Sequence, residues 1–301
     1  MKFKYSLFVV LAGIFWGSMG VFVHLLTDYF GLSSLQSSAL RIISAAIILF
    51  LFVLFYDKKL FAIKWRDVPV LVCNGIFSIF LLTVFYFVSI NSDTSMSISA
   101  VLLYTAPFMV MFMSCIFFSE KITFQKIIAL TVAFGGCLLV SVSEPGYSTP
   151  KGIIFGVLSG VAYALYSIFG KIALKKYHAY TVTFYSFFFA SIGAIVLAFL
   201  TDLPSAFCST GKTSLLVLSV FGTGLITAVL PFLLYTKGLS GTSPSKASIM
   251  AYMEPISACV FGYFMGENMT FFMILGIVLT LLSIVLLNVQ IPFLSGRSDN
   301  D

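Results

Sequence analysis

The sequence predicts an all-α integral membrane protein in which ten transmembrane helices form two inverted five-helix repeats. Three observations predict this fold class: an apolar composition, ten long apolar segments, and a residue pattern that occurs once in each half. The chain of 301 residues is 60% hydrophobic and only 9% charged, and its mean hydropathy is +1.08. A soluble domain of this length would carry more charge, so the composition indicates a helical membrane protein.

Ten apolar segments follow one another along the chain, separated by short breaks that contain charged residues, glycine, proline, asparagine or serine. Each segment can cross a bilayer as a helix of about 20 residues, and the breaks are too short to hold a soluble domain. The predicted segments cover residues 5–26, 33–56, 68–90, 95–118, 125–142, 152–174, 179–200, 213–236, 245–265 and 271–289.

The lysines and arginines predict the orientation of the chain. If the N-terminus is cytoplasmic, every loop lysine and arginine except Lys151 and Lys212 lies on the cytoplasmic side. Cytoplasmic loops of membrane proteins carry an excess of these residues. We therefore expect a multi-pass protein of the cytoplasmic (inner) membrane with both termini inside, including a cytoplasmic tail of residues 291–301.

A pattern that ends in a proline indicates an internal duplication. Its residues recur at an offset of 148: Thr94, Ser95, Ser97, Tyr104 and Pro107 match Thr242, Ser243, Ser245, Tyr252 and Pro255. Beyond the prolines the offset is 147, and Glu120-x-x-Thr123 corresponds to Glu267-x-x-Thr270. Five segments per half is an odd number, so the halves enter the membrane in opposite directions, as in many secondary transporters. We expect repeats at residues 1–144 and 145–290.

Arg41 and Glu254 are the formal charges that lie well inside predicted segments. A charge at the bilayer centre costs roughly 2.5–3.5 kcal/mol on insertion scales and marks a functional site by default. Arg41 is either a cavity cation for a substrate carboxylate or phosphate, or a structural arginine that binds carbonyls or extends outward. Glu254 is either a ligand for a substrate amine, a proton-coupling carboxylate, or a neutral acid bonded to a neighbouring helix.

Polar aromatic residues inside the segments are further candidates for the substrate site. A tyrosine far from the membrane interface needs a partner for its hydroxyl group. We expect Trp16, Tyr104, Tyr252 and Tyr163 to line a cavity, with Tyr104 and Tyr252 facing each other across a two-fold axis. Asn74 is either a cavity residue or part of a hinge.

Two prolines lie at matching positions in the repeat. Pro107 and Pro255 each remove a backbone donor and disturb the preceding helical turn. We expect these residues to weaken the fourth and ninth helices and to contribute to gating.

The residue patterns of enzymes and ATP-driven pumps do not occur in this sequence. It contains no H-E-x-x-H motif, no pair of intramembrane aspartates and no P-loop, so neither metal-dependent hydrolysis nor direct use of ATP is expected. We expect no catalytic residue, metal, cofactor or nucleic-acid partner. The expected partners are a small-molecule substrate, membrane lipid and protons as a coupling ion, in a monomer or homodimer.

The duplicated helices and the opening motif also resemble a known family. The two five-helix units, the helices that carry Pro107 and Pro255, and the G-x-x-W-G opening at Gly13, Trp16 and Gly17 resemble the EamA branch of the drug/metabolite transporter superfamily. The resemblance covers nearly the whole chain. It implies a ten-helix metabolite or amino-acid transporter, commonly an exporter, with a central cavity between the halves.

These observations predict a secondary-active transporter of small metabolites that works by alternating access. One cation, one acid and aromatic walls suit an amino acid or a related zwitterion, and export is the predicted direction. The alternative is uptake or exchange of a nucleotide-like or other cofactor metabolite.

Overall fold

A computed structural model of the chain describes residues 2–141, 147–209 and 213–289. Within these ranges the regular elements are helices, and no strand occurs there. The predicted boundary at residues 144–145 and the tail 291–301 lie outside the described residues. We number the ten predicted segments in chain order and keep these numbers below.

Nine helices in the described ranges are long and apolar enough to cross a membrane, and the chain is a multi-pass membrane protein. They correspond to segments one to eight and segment ten: Lys4–Tyr29, Ser34–Tyr56, Trp65–Ile90, Met96–Phe118, Phe124–Ser141, Pro150–Leu174, Ala179–Leu200, Thr213–Gly241 and Phe271–Asn288. The ninth segment is less apolar and consists of two shorter helices, Pro244–Met250 and Met253–Phe264. A further short helix, Leu203–Ser209, follows the seventh segment.

Side-chain caps mark where several of these helices begin. Ser33 accepts a hydrogen bond from the Gln36 N–H, and the Gln36 side chain accepts one from the Ser33 N–H, which together form a capping box. Thr149 caps the sixth segment through the N–H of Gly152. Such caps satisfy backbone donors that the first helical turn leaves unpaired.

The fourth and ninth segments are interrupted at matching positions. The fourth consists of Met96–Leu103 and Ala106–Phe118, and the break in the ninth falls at Ala251 and Tyr252. Pro107 and Pro255 lie in the first turn of the helix that follows each break. A proline lacks an N–H and clashes with the carbonyl four residues earlier, so the preceding helix ends at that point.

The third and eighth segments share another irregularity, a stretch of π-helix. It covers Asn74–Phe80 in the third segment and Leu225–Val229 in the eighth. The first segment also ends in a π-helical turn, Leu25–Tyr29. π-helical turns are frequent at functional sites and mark places where the regular hydrogen-bond ladder is locally rearranged.

The packing of the segments follows a reciprocal pattern. The first segment packs against the eighth and ninth, and the sixth packs against the third and fourth. The second packs against the seventh, and the fifth against the tenth. Exchanging each segment for the one five places along the chain reproduces the same set of neighbours, which is the pattern of two structurally related halves.

Small residues allow the first and sixth segments to approach the interrupted helices closely. A Cβ atom on Gly13 would lie 2.7 Å from the Met253 Cβ, and one on Gly17 would lie 2.6 Å from the Ala258 nitrogen. In the other half, a Cβ atom on Gly160 would lie 3.0 Å from the Leu102 oxygen. Small residues that permit such backbone contact are typical of membrane helix interfaces.

Candidate functional site

A cavity of about 490 Å³ lies between the two halves of the chain. Both halves contribute side chains to its wall, among them Arg41 and Tyr104 from the first half and Tyr163 and Glu254 from the second. Its wall is mostly apolar, with a small number of polar groups. This combination is usual for a site that binds a small molecule.

Arg41 is partly buried in the second segment and faces the cavity. Its Nη1 donates a hydrogen bond to the Sδ atom of Met19 at 2.9 Å, and a thioether is a weak acceptor. Among the described residues no other group accepts a hydrogen bond from this guanidinium. Arg41 therefore keeps donors available for an anionic group inside the cavity.

Glu254 lies on the ninth segment, as the second residue of the helix that follows the break, and also faces the cavity. Tyr104 and Arg41 line the same cavity and lie close enough to influence its carboxyl group. The two charges do not form a direct ion pair, because the pairs within 4.0 Å among the described residues are His24–Asp28, Lys126–Glu120 and Lys176–Asp67. The cavity therefore presents an acid and a base that remain apart.

Aromatic side chains form one wall of the cavity. Trp16 is 5% exposed, and its ring centroid lies 5.1 Å from that of Phe232 and 6.2 Å from that of Tyr163. Trp16 also packs against Tyr235, whose hydroxyl is 2.7 Å from the Ser167 Oγ. The wall is therefore held in place by ring contacts and by buried hydrogen bonds behind it.

Two predicted site residues lie outside the cavity lining. Tyr252 is 1% exposed, and its hydroxyl donates to the backbone oxygen of Tyr104 at 2.6 Å. Asn74 is fully buried, and its Nδ2 donates to the Ser186 Oγ at 2.6 Å. Both Tyr252 and Asn74 thus connect segments to one another.

Of the two prolines, Pro255 lines the cavity and Pro107 does not.

Sulfur-containing side chains are cavity residues that the sequence interpretation did not single out. Met19, Met96, Met265 and Met273 line the cavity together with Cys259. Methionine adapts its shape to different ligands and offers a polarizable surface. Their sequence positions carry no periodic signal, so only the packing of the two halves reveals them.

One end of the bundle, which we call the Glu120 end, is closed by polar contacts. The Glu120 carboxylate accepts hydrogen bonds from the Ser245 Oγ at 3.0 Å and from the Lys126 Nζ at 2.9 Å. Lys171 donates to the carbonyl oxygens of Leu239 and Thr242 nearby. The bond to Ser245 joins the end of the fourth segment to the start of the ninth, and the bonds from Lys171 join the sixth segment to the end of the eighth.

The hydrogen bonds also determine the ionisation of Glu120. Burial raises the pKa of its carboxyl group, but the hydrogen bonds from Ser243, Lys126 and Ser245 and the charge of Lys126 outweigh this effect, and the net pKa is lowered. The carboxylate is therefore ionised at neutral pH.

The opposite end, which we call the Glu267 end, surrounds the mouth of the cavity. Ser97, Glu267 and Met273 line it there, together with His24. Glu267 is exposed, and Ser97 is partly exposed. The cavity thus leads from Arg41 and Glu254 toward the Glu267 end, while polar contacts join the segments at the Glu120 end.

A sequence model of the EamA-like transporter family matches the chain twice, at residues 3–142 and 150–289. An uncharacterized transporter of Archaeoglobus fulgidus is 30% identical over 84% of this chain and 88% of its own length. The uncharacterized inner membrane transporter YicL of Salmonella typhimurium is 26% identical over 95% of this chain and 96% of its own length. The Bacillus subtilis transporter YxxF, also uncharacterized, is 27% identical over 90% and 85% of the two chains.

A solved crystal structure has the same overall fold. It superposes with a TM-score of 0.79 over 96% of this chain and 97% of that chain, at 15% sequence identity. At this level of identity the similarity concerns the fold and not the substrate.

Proposed function

The chain belongs to the EamA-like transporter family, and on this premise we propose that it exports amino acids or related small zwitterions by alternating access. The observation that carries the proposal is that Arg41 and Glu254 face one cavity from different halves without pairing with each other. A guanidinium binds a carboxylate, and a carboxylate binds an ammonium group. A zwitterion carries both groups and can therefore bind Arg41 and Glu254 at the same time.

In the proposed architecture the chain has ten spans, with the interrupted ninth segment as one of them, and the halves are inverted repeats. The reciprocal packing of the segments supports this, since a two-fold relation between halves generates it. Five spans per half then place the repeats in opposite directions, as in other inverted-repeat transporters. Residues 1–144 and 145–290 are the proposed repeats.

The distribution of lysines and arginines supports the proposed orientation. Lys126, Lys171 and Lys176 all belong to the Glu120 end or to loops on the same side. We assign the Glu120 end to the cytoplasm, together with both termini. The cavity then opens away from the cytoplasm, which is the state in which an exporter releases its substrate.

The remaining site residues have supporting roles in this proposal. Trp16, Tyr104 and Tyr163 form the cavity wall against the apolar part of the substrate. Tyr252 and Asn74, which the sequence placed in the site, hold the segments behind that wall. The breaks at Pro107 and Pro255 are the flexible points of the gating helices, because the backbone ladder is already interrupted there.

The test is transport in proteoliposomes with a panel of zwitterionic, anionic and cationic metabolites, with and without a pH gradient. Arg41→Ala and Glu254→Gln should each abolish most transport of the zwitterions while the protein remains folded. Arg66→Ala and Asp202→Asn are matched controls, because both side chains are exposed and lie outside the cavity lining. Normal transport by both cavity variants would refute the site.

The same panel separates the alternative function, which is uptake or exchange of a nucleotide-like metabolite. Aromatic walls and Arg41 suit a base and a phosphate, whereas the carboxylate of Glu254 repels a phosphate. Transport of nucleotides in preference to zwitterions would favour that alternative. Stimulation by a pH gradient would identify protons as the coupling ion, and its loss in Glu254→Gln would assign the coupling to this residue.

A further inference from the structure

The fourth and ninth segments end in a similar way. Ser119 and Gly266 both adopt a left-handed conformation, with φ of 51° and 97°. The N–H of the following glutamate bonds back into the preceding helix in both cases, Glu120 to the Ser114 oxygen at 3.3 Å and Glu267 to the Gly262 oxygen, one residue nearer in the chain, at 3.0 Å. The two glutamates are therefore structurally equivalent.

The helices that follow these glutamates also begin in the same way. The Lys126 N–H bonds to the Thr123 Oγ1, and the Met273 N–H bonds to the Thr270 Oγ1, both at 3.3 Å. The equivalence thus extends through the whole Glu-x-x-Thr motif and pairs Lys126 with Met273.

The carboxylates of the two equivalent glutamates have different environments. The Glu120 side chain is only 9% exposed and bonds to Ser245 and Lys126, whereas Glu267 is exposed at the cavity mouth. The residues that Glu120 binds in the ninth segment have counterparts in the fourth: Ser243 and Ser245 correspond to Ser95 and Ser97. Ser97 lies at the same mouth as Glu267.

The start of each interrupted helix reflects this difference. The Ser95 Oγ caps its own helix by accepting the Ile98 N–H at 3.4 Å. The Ser243 side chain makes no such cap and instead contributes to the lowered pKa of Glu120, which also accepts the Ser245 Oγ hydrogen bond. One motif is therefore engaged with its serines, and its equivalent is disengaged.

We propose that Glu120 and Glu267 are alternating latches, Glu120 closing one end of the path by binding Ser243 and Ser245, and Glu267 closing the other end by binding Ser95 and Ser97. The inference rests on the proposed alternating access. In the structure described here the Glu120 latch is closed and the Glu267 latch is open. In the opposite state the Glu120 latch opens, and the mouth beside Glu267 closes around the substrate-free or substrate-loaded cavity.

The two latches are unequal, because only one contains a cation. Lys126 bonds to Glu120 at 2.9 Å, and its equivalent beside Glu267 is the uncharged Met273. Hydrogen bonds between charged groups are stronger than those between neutral groups. The Glu120 latch is therefore the stronger one, which agrees with its being closed here.

Thiol labelling of the protein in detergent tests the latches without a substrate and without a defined membrane orientation. The reporter for the Glu267 end is the native Cys259, which lines the cavity, with the other cysteines replaced by serine or alanine. The reporter for the Glu120 end is Ser248→Cys in a background that lacks all other cysteines. Ser248 is 1% exposed and corresponds to Ala100, a cavity residue.

We expect Glu120→Ala to raise the labelling rate at position 248 about tenfold and to lower it at Cys259, as the loss of hydrogen bonds to a charged group requires. Glu267→Ala should change both rates in the opposite directions. Met273→Lys adds a cation to the weaker latch and should act like Glu120→Ala. Asp202→Asn, which removes an exposed acid outside the latches, should change neither rate.

Opposite shifts in the two alanine variants support the latches, because general destabilisation would raise labelling at both reporters. Unchanged rates, or shifts in the same direction, overturn the proposal. Transport by the wild-type protein is measured separately in proteoliposomes. If the labelling rates shift in opposite directions but the protein transports no zwitterion, the latches are supported and the proposed substrate class is refuted. If the protein transports zwitterions normally but the labelling rates do not shift in opposite directions, only the latches are refuted.

Discussion

The hydroxyl of Tyr252 donates a hydrogen bond to the backbone oxygen of Tyr104 at 2.6 Å, at the point where the two interrupted helices meet. The two residues are equivalent in the repeat, and their rings lie 6.2 Å apart. Their roles nevertheless differ, since Tyr104 faces the cavity and Tyr252 is buried. This bond supports the helix break that positions Tyr104 beside Glu254.

Tyr252→Phe should lower the stability of the protein by about 1 kcal/mol, because it removes one buried hydrogen bond and leaves a carbonyl oxygen without this donor. The measurement is the Tm in detergent. Tyr263→Phe is the matched control, since Tyr263 lies on the same segment and is 57% exposed. An equal Tm for the Tyr252 variant and the wild type would show that the bond contributes nothing to stability.

Arg41→Lys should weaken binding of a carboxylate substrate although it keeps the positive charge. A lysine lacks the planar fork that binds a carboxylate through two hydrogen bonds. We expect a rise in KM for zwitterion transport of about tenfold, equivalent to about 1.4 kcal/mol, with a smaller change in the maximal rate. Arg66→Lys is the control, because Arg66 is exposed and lies outside the cavity lining. An unchanged KM in Arg41→Lys would indicate that the substrate carboxylate binds elsewhere.

Several helix boundaries could be predicted from the sequence because polar residues mark them directly. The predicted segments 33–56 and 179–200 correspond to Ser34–Tyr56 and Ala179–Leu200. The eighth segment extends further than predicted, to Gly241, because Lys171 from another segment binds the carbonyl oxygens of Leu239 and Thr242. A cap supplied by a distant side chain leaves no signal in the local sequence.

The charged residues of the cavity were also accessible from the sequence, because formal charges are rare in apolar segments and Arg41 and Glu254 therefore stand out. Whether a polar residue faces the cavity or another helix depends on how the halves pack. Asn74 illustrates this, since its partner Ser186 is 112 positions away in the chain. The positions of the π-helical turns likewise depend on tertiary packing and not on hydrophobic periodicity.

Two adjacent glycines in the fifth segment should respond oppositely to alanine. A Cβ atom on Gly136 would lie 2.6 Å from the Gly276 oxygen on the tenth segment, whereas one on Gly135 would meet nothing within 4 Å. Gly136→Ala should therefore destabilise the protein by about 1–3 kcal/mol through overpacking. Gly135→Ala should be neutral or slightly stabilising, because alanine favours the helix. Thermal unfolding of both variants in detergent is the measurement, and similar Tm values for the two would contradict the close contact.

The contribution of Glu120 to stability should depend on pH in a defined direction. Burial raises the pKa of this carboxyl group, but its hydrogen bonds and the charge of Lys126 lower the pKa by more than burial raises it. In the folded protein the pKa of Glu120 therefore lies below its ordinary value of 4.5. A lowered pKa means that the stabilisation is fully present above the ordinary value. The stabilisation is lost as the pH falls through the lowered pKa.

The measurement compares the Tm of the wild type with that of Glu120→Gln from neutral pH to below 4.5. Glutamine keeps the size of the side chain and its neutral hydrogen bonds but does not titrate, so the difference at neutral pH should be on the order of 1 kcal/mol. This difference should shrink as the acid is protonated, because the wild type then also carries a neutral side chain beside Lys126. Glu267→Gln is the control, since its exposed carboxylate lies outside such a network. A difference between wild type and Glu120→Gln that stays constant down to low pH would mean that the charge of Glu120 does not hold the closed end together.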